Sequence, residues 1–599
     1  MLTKSYAISF YVSILLCCLP QAHATEPVAS IQKLQQEARD RHLADAPIWQ
    51  KLILFRQHAE ITSPNFYFSD LAAAHLKQIT PQQELEATIE ALHDDPKLIC
   101  QYPARYYWLS HQLRGMPSTA LDSCKNLPNP EQDIRLLLVS GYLKNPVSTF
   151  GHVLITIGGQ DERQNLLDSA YNYGAQIPNH ESSMNYIVKG LFGFYHARFA
   201  NSQYFKQDVV YAKTEQRDIW AYTLNLTAEQ KALLIYHLAE IQSHSIDYYF
   251  IKQNCAYRSG ELLELIADIQ ITNRITPWYA PEYIFDQIEE YRHLHPDFIK
   301  SVEYLPSDQN KLYFTFSKMP KRYQDEINNY IKTGELHHIE QFDIPDQEKI
   351  LEFLIAYLNL KQIEKNKKEY DTQKKQLVRM RIQLPIGEDE QEMIPSRASP
   401  ALGEKPSKLA LGLGGDQGYL NFIVFNKDML SANSNLHDEF KILDFSWRYQ
   451  QQELKLQTAD FIHILKIEDL SQKLAGEKKL SWELAVGAKP DIYTGELHRP
   501  YTRGSLGVGY DFAPHWVGYS LLGAELNDSP DKLDAVSETA VVYQQEPFAV
   551  KLSQTFQQRR DHALAHETRF ELRYRVAKNM DFKLQLSNRD NNLAYQYYW

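Results

Sequence analysis

Beyond about residue 375 the chain repeats one pattern, segments of about ten residues in which apolar and polar side chains alternate. In Arg569-Phe570-Glu571-Leu572-Arg573-Tyr574-Arg575-Val576 every apolar residue falls on one side and every charge on the other. Successive strand side chains point to opposite faces, so such a segment buries one face and leaves the other to polar surroundings. Asp581-Phe582-Lys583-Leu584-Gln585-Leu586 and Leu443-Asp444-Phe445-Ser446-Trp447-Arg448-Tyr449 repeat the arrangement, and Trp482, Leu484 and Val486 alternate with Glu483 and Ala485. The last segment carries Leu593, Tyr595, Tyr597 and Trp599 on one side. About twelve such segments predict an antiparallel β-barrel over residues 377–599.

Residues 1–24 read as a secretory signal peptide, with Lys4 in the n-region, an apolar stretch from Ala7 to Leu19 and the cleavage signal Ala22-His23-Ala24. Cys17 and Cys18 leave with it, and neither follows the small residue of a lipoprotein signal. Export permits disulfides. Cys100 and Cys124 are expected to pair, leaving Cys255 a free thiol, although Cys255 is the other partner that sequence allows either of them. Export, strand length and aromatics at strand ends favour an outer-membrane barrel over a soluble periplasmic β-domain with a closed apolar core. A formal charge of −12 without a Lys/Arg block excludes a nucleic-acid footprint. No mature stretch is apolar for the length of a transmembrane helix, a test that barrels escape.

Before residue 375 helical periodicity dominates, giving an α+β chain overall. Residues 25–125 read as a helical region, and strand-like runs appear between about 150 and 175. Thr227-Ala228-Glu229-Gln230 has the spacing of a capping box opening a helix that contains Leu233 to Ile241. Residues 346–376 read as a solvated helical linker, charged in its second half at Lys361, Glu364, Lys365, Lys367, Lys368 and Glu369.

Cys255 lies in Gln253-Asn254-Cys255-Ala256-Tyr257-Arg258, just before the strongly helical run Glu261 to Ile266. A helix start lowers a thiol pKa through its N–H groups and macrodipole, and a neighbouring imidazole does so through charge. The candidate base is His152, at the head of the buried-strand pattern Val153-Leu154-Ile155-Thr156-Ile157. The next strand-like run, Leu166 to Gly174, should pair with it across Gly158-Gly159. That run supplies the residue expected to orient the histidine, Asn172 first and Asp168 second. The Cys255 backbone N–H is the expected oxyanion donor. Asn254 and Tyr257 are expected to contact substrate. A metal site from His152, Cys255 and His196 has no supporting ligand spacing, and no metal or other cofactor is expected. Phe192-Gly193-Phe194-Tyr195 offers aromatics for the core, the favoured assignment, or for the approach to the thiol.

Asn145 to His152, Tyr171-Asn172-Tyr173-Gly174-Ala175, Lys189-Gly190-Leu191-Phe192-Gly193, Arg217-Asp218-Ile219-Trp220, Asp247-Tyr248-Tyr249-Phe250 and Asn254-Cys255 together resemble the Lnb N-terminal periplasmic domain family. Cys100-Gln101-Tyr102-Pro103-Ala104-Arg105 resembles the helical region that often precedes it. The family is similar to circularly permuted papain-like enzymes of the NlpC type, with histidine before cysteine, as His152 and Cys255 stand here. The resemblance implies a permuted papain-like periplasmic domain over 126–345, with His152 as base and Cys255 as nucleophile. It further implies a cysteine-dependent acyltransferase or hydrolase working through an acyl-enzyme on lipid or lipoprotein at the outer membrane. The alternatives are a murein amidase or endopeptidase using the same thiol, and a non-catalytic envelope adaptor.

Overall fold

The computed structural model describes residues 29–599 except 62, 64, 70–77, 118–120, 126, 142–150, 160–166, 179–180, 182–184, 186–188, 191, 243, 251, 273–277, 366–367, 387–393, 432–436, 472–473, 476, 478 and 529–531. The leader with Cys17 and Cys18, and the turn before Gly151, lie outside the described residues. The chain divides into two units. One ends at Leu127, and the other runs from Pro128 to Trp599 with the short piece Ile61–Ser63.

The first unit is helical: α1 (Ile31–Asp40), α2 (Pro47–Leu52), α3 (Pro81–Asp94) and α4 (Pro103–Gln112). Proline opens α2, α3 and α4, where its missing N–H costs nothing. A reciprocal Thr80–Gln83 capping box fixes the start of α3. Leu34, Leu52, Leu85, Ile89 and Leu109 are fully buried, and Trp49 stacks on Trp108 with ring centroids 5.8 Å apart. The buried Arg105 pairs with the buried Glu84 at 3.0 Å and lies over the Phe66 ring. Cys100 and Cys124 are joined, as expected, and Cys255 is a free, buried cysteine.

The second unit opens with a seven-stranded antiparallel sheet in the order β6-β4-β3-β2-β1-β5-β7. Its strands are β1 (Asp133–Val139), β2 (His152–Gly158), β3 (Ser169–Ala175), β4 (Tyr195–Gln203), β5 (Ile219–Leu224), β6 (Ile246–Tyr248) and β7 (Ile299–Leu305). Ile134 to Val139 and Val153 to Gly158 are buried without a break, so both faces of the central strands are covered. The covering elements include α5 (Tyr204–Asp208) with a following π turn, α6 (Ala228–Ile241), α7 (Cys255–Ile266) and α8 (Pro281–Leu294). The capping box read at Thr227 and Gln230 opens α6.

Next come α9 (Asp308–Lys318), α10 (Lys321–Thr333), α11 (Ile344–Lys365) and α12 (Lys368–Gln383), sharing one core. This corrects the reading of 346–376 as a solvated linker. Ile350, Leu351, Phe353, Leu354 and Leu358 of α11 are buried in that core, and Leu377 of α12 packs with them. The charges that follow residue 360 masked an apolar face that precedes them. The barrel likewise starts later than residue 377, because 377–383 is still helical and the first barrel strand is β8 (Lys408–Gly414).

The closed barrel has twelve strands. After β8 come β9 (Gln417–Lys427), β10 (Asp438–Gln450), β11 (Glu453–Lys466), β12 (Ser481–Lys489), β13 (Arg499–Ala513), β14 (Trp516–Asn527), β15 (Leu533–Gln545), β16 (Phe548–Arg559), β17 (Ala565–Ala577), β18 (Met580–Ser587) and β19 (Asn591–Tyr598). Neighbours pair antiparallel, and β19 closes on β8. Closure leaves no unpaired edge. Alternate residues face a polar lumen that includes Lys441, Arg503, Glu538 and Glu571. Their neighbours Leu411, Leu506, Leu522, Leu552, Val576 and Leu593 are exposed on the outside. Lumen charges are satisfied in pairs, such as Arg559 with Asp534 at 2.8 Å and Arg503 with Glu525 at 2.8 Å.

Candidate active site

Cys255 is the first residue of α7, and Asn254 caps that helix by accepting the Tyr257 N–H at 3.2 Å. The Asn254 amide donates to the carbonyls of Phe250 at 2.9 Å and Tyr279 at 2.7 Å. Its polar atoms thus build the corner that presents the thiol. Tyr257 is buried, its ring edge-on against Tyr279.

His152 begins β2. The preceding Gly151 has φ +89°, a left-handed conformation natural to glycine, and a Cβ there would stand 2.8 Å from the Val139 carbonyl oxygen. His152 Nε2 and Asn172 Oδ1 lie 2.6 Å apart, across the β2–β3 pairing that sets Leu154 opposite Asn172. The bond makes Nε2 the protonated nitrogen, because a carbonyl oxygen only accepts. Asp168, the second choice for this role, ion-pairs with Arg135 at 2.8 Å instead. His196 faces Asp247 at 3.2 Å on β4, and among the described residues no cluster could hold a metal ion.

The thiol and the imidazole are hydrogen-bonded and coupled by charge. Burial alone would push the Cys255 pKa up. The His152 charge, its hydrogen bond and the N–H groups of Val153 and Ala256 outweigh burial and hold the thiol below its ordinary value. Burial would push His152 down, but the thiolate and the bond to Asn172 raise it, against the opposing charge of Arg217. Both shifts favour a thiolate–imidazolium pair.

Two neighbours escaped the sequence reading. The Tyr211 ring lies against the His152 ring, centroids 5.8 Å apart, and the Arg217 guanidinium lies over Tyr211 at 5.1 Å. Arg217 donates to the carbonyls of Ser140 at 2.5 Å and Val139 at 3.4 Å, so it ties the end of β1 to this corner. Arg217-Asp218 was visible as a motif without a role, whereas Tyr211, in a π turn, gave no signal at all. Phe192 and Phe194 are 67% and 70% exposed, contrary to the favoured core assignment, and only Tyr195 of that run is buried.

Residues 129–287 match the Lnb N-terminal periplasmic domain. Residues 41–112 and 434–597 match two domains of unknown function, DUF7843 and DUF7840. The matched span thus runs from before β1 into α8, taking in β1 to β6 but not β7, and contains His152, Asn172 and Cys255. No curated protein matches the chain. Among solved structures it is similar to the KdgM porin (9% identity, covering 32% of this chain and 98% of that one, TM-score 0.21). It is also similar to the NanC porin (8% identity, 32% and 99%, TM-score 0.22). A closed barrel with a polar lumen and an apolar outer wall is the strand architecture that satisfies every backbone group inside lipid. The molecule is an envelope protein, an Lnb periplasmic domain followed by an outer-membrane barrel.

Proposed function

We propose that the protein is a periplasmic cysteine-dependent acyltransferase or hydrolase acting on lipid or lipoprotein at the outer membrane. The observation that carries this reading is the polar chain Cys255–His152–Asn172, with the thiol at a helix start and its pKa below the ordinary thiol range. The Cys255 thiolate attacks an ester carbonyl and forms an S–C bond. The oxyanion of the tetrahedral intermediate takes a hydrogen bond from the Cys255 backbone N–H. His152 then gives its proton to the departing alkoxide, leaving a thioester and a free alcohol. An amine or water attacks the thioester, its proton passes to His152, and the thiolate departs with amide or acid as product. Asn172 keeps the ring in the working tautomer throughout.

The test presents the purified full chain separately with phospholipid vesicles and with murein fragments. Release of lysophospholipid, absent in Cys255→Ser, is the expected result. Cleaved murein peptides with intact lipid would replace the lipid reading by the amidase reading. No product from either, with Cys255→Ser indistinguishable from the parent, would leave the protein an adaptor.

A further inference from the structure

The segment Tyr279–Pro281 touches the active site on one side and the barrel on the other. On the site side, the Tyr279 carbonyl accepts from Asn254, the residue before the thiol. Pro281 lies 3.7 Å from a Cβ built on Gly151, the residue before His152. On the other side, Ala280 is buried against Phe425 and Phe440, with Ile442, Ile462 and Ile464 packed around them. In β10 and β11 the alternate residues Glu439, Lys441, His463 and Leu465 line the lumen. Phe440, Ile442, Ile462 and Ile464 therefore belong to the outer wall, near the end of the barrel where β9 and β11 finish and β10 begins. Ion pairs fasten α8 to the same end: Lys405 with Glu290 at 2.7 Å, Lys427 with Glu282 at 3.6 Å, and Lys578 with Asp286. Next to the covered patch the wall is open, since Leu484 stands opposite Ile464 and is 37% exposed.

The lumen is stoppered at this same end. Met429 and Leu430, from the segment joining β9 to β10, are buried against Leu465, Val517, Tyr519, Leu521 and Val542. The Leu430 carbonyl accepts from Arg573, and the Ser431 carbonyl from Gln544. Beyond the stopper lies a polar cavity of about 1100 Å³, unsuited to acyl chains.

We propose that the acyl chains of a glycerophospholipid reach Cys255 laterally from the inner leaflet, along the outer wall of β11 and β12 beside Ala280, and not through the lumen. The proposal rests on the acyl-enzyme reading above. Apolar surface on the outer wall of a membrane barrel already faces lipid, so a chain leaving the leaflet there stays in apolar surroundings until its carbonyl nears the thiol. Phe192 and Phe194 are exposed aromatics of the same domain as the thiol. Their segment is bonded to the one leading into Cys255, through the Phe250 N–H and the Gly190 carbonyl at 2.9 Å.

Two arms test it on the full chain in phosphatidylethanolamine vesicles. In the first, a phospholipid with a diazirine-bearing acyl chain is photolysed and its adducts are mapped by mass spectrometry. Enrichment on Ile462, Ile464, Leu484 and residues 279–281 over the rest of the wall is expected. Adducts in the lumen, or an even spread around the barrel, would overturn the route. In the second, the double variant Ile464→Ser/Leu484→Ser is offered vesicle lipid and a soluble short-chain nitrophenyl ester. Cys255 acylation from the vesicle should fall about tenfold, with acylation from the ester unchanged. An unchanged ratio of the two rates contradicts lateral entry, and if the variant does not fold the first arm decides alone. Absence of acylation from either substrate in the parent chain would sink the acyl-enzyme reading, whereas photolysis still reports on the lipid route.

Discussion

A buried thiol is ordinarily a poor nucleophile, and what distinguishes Cys255 is the set of charges around it. The opposed shifts of Cys255 and His152 give a pH dependence whose sign is fixed. Alkylation of Cys255 by iodoacetamide should set in below the ordinary thiol pKa of about 8.5 and fall away only where the thiolate is protonated at lower pH. In His152→Ala the imidazolium is lost and burial dominates, so the onset should move above that ordinary value, which a rate-versus-pH series measures. Asn172→Ala should leave the fold intact and lower turnover roughly 10²-fold, toward the low end of what a general acid–base contributes. Asn254→Ala should act through stability. It removes a helix cap of about 1 kcal/mol and strands two carbonyls, and a thermal melt should show the loss. The sequence made Cys255, His152 and Asn172 legible because a helix start and a two-strand hairpin follow from local pattern. The capping bonds of Asn254 are not legible in the sequence, because a capping asparagine and a ligand-binding one look alike until the amide's partners are known.

At the scale of elements, strand alternation was the clearest signal. It predicted about twelve barrel strands with Phe570, Leu572, Tyr574 and Val576 on one side of a strand, and β17 carries them with Tyr574 and Val576 exposed outside and Glu571 and Arg573 buried inside. Helical periodicity is less legible between 346 and 383, where the charges of the second half obscure the apolar face of Ile350, Leu354 and Leu358. The packed core around α11 makes a definite prediction. Leu354→Ala, at a fully buried position, should cost about 2–5 kcal/mol and speed hydrogen exchange throughout α11 and α12. Unchanged exchange there would mean that these helices are the solvated connection their charges suggest. The π turn carrying Tyr211 follows from no local rule, and only the tertiary fold brings this ring against His152.

For the whole molecule, the division into units separates stability from chemistry. The Cys100–Cys124 bridge closes a 24-residue separation within the helical unit, a loop for which chain entropy gives about 3 kcal/mol. Replacing both cysteines by serine should open that unit to limited proteolysis while Cys255 keeps its alkylation rate. On the proposed reading the chemistry takes place at a lipid surface, and the central claim is that Cys255 carries the acyl group there. The most direct measurement is the intact mass of the full chain after incubation in phospholipid vesicles and rapid quenching. The account predicts an acyl-sized mass increase confined to the peptide containing Cys255, labile to hydroxylamine, absent in Cys255→Ser and much slower to form in His152→Ala. A chain that stays at its unmodified mass, or an adduct that forms as fast without His152, would contradict it.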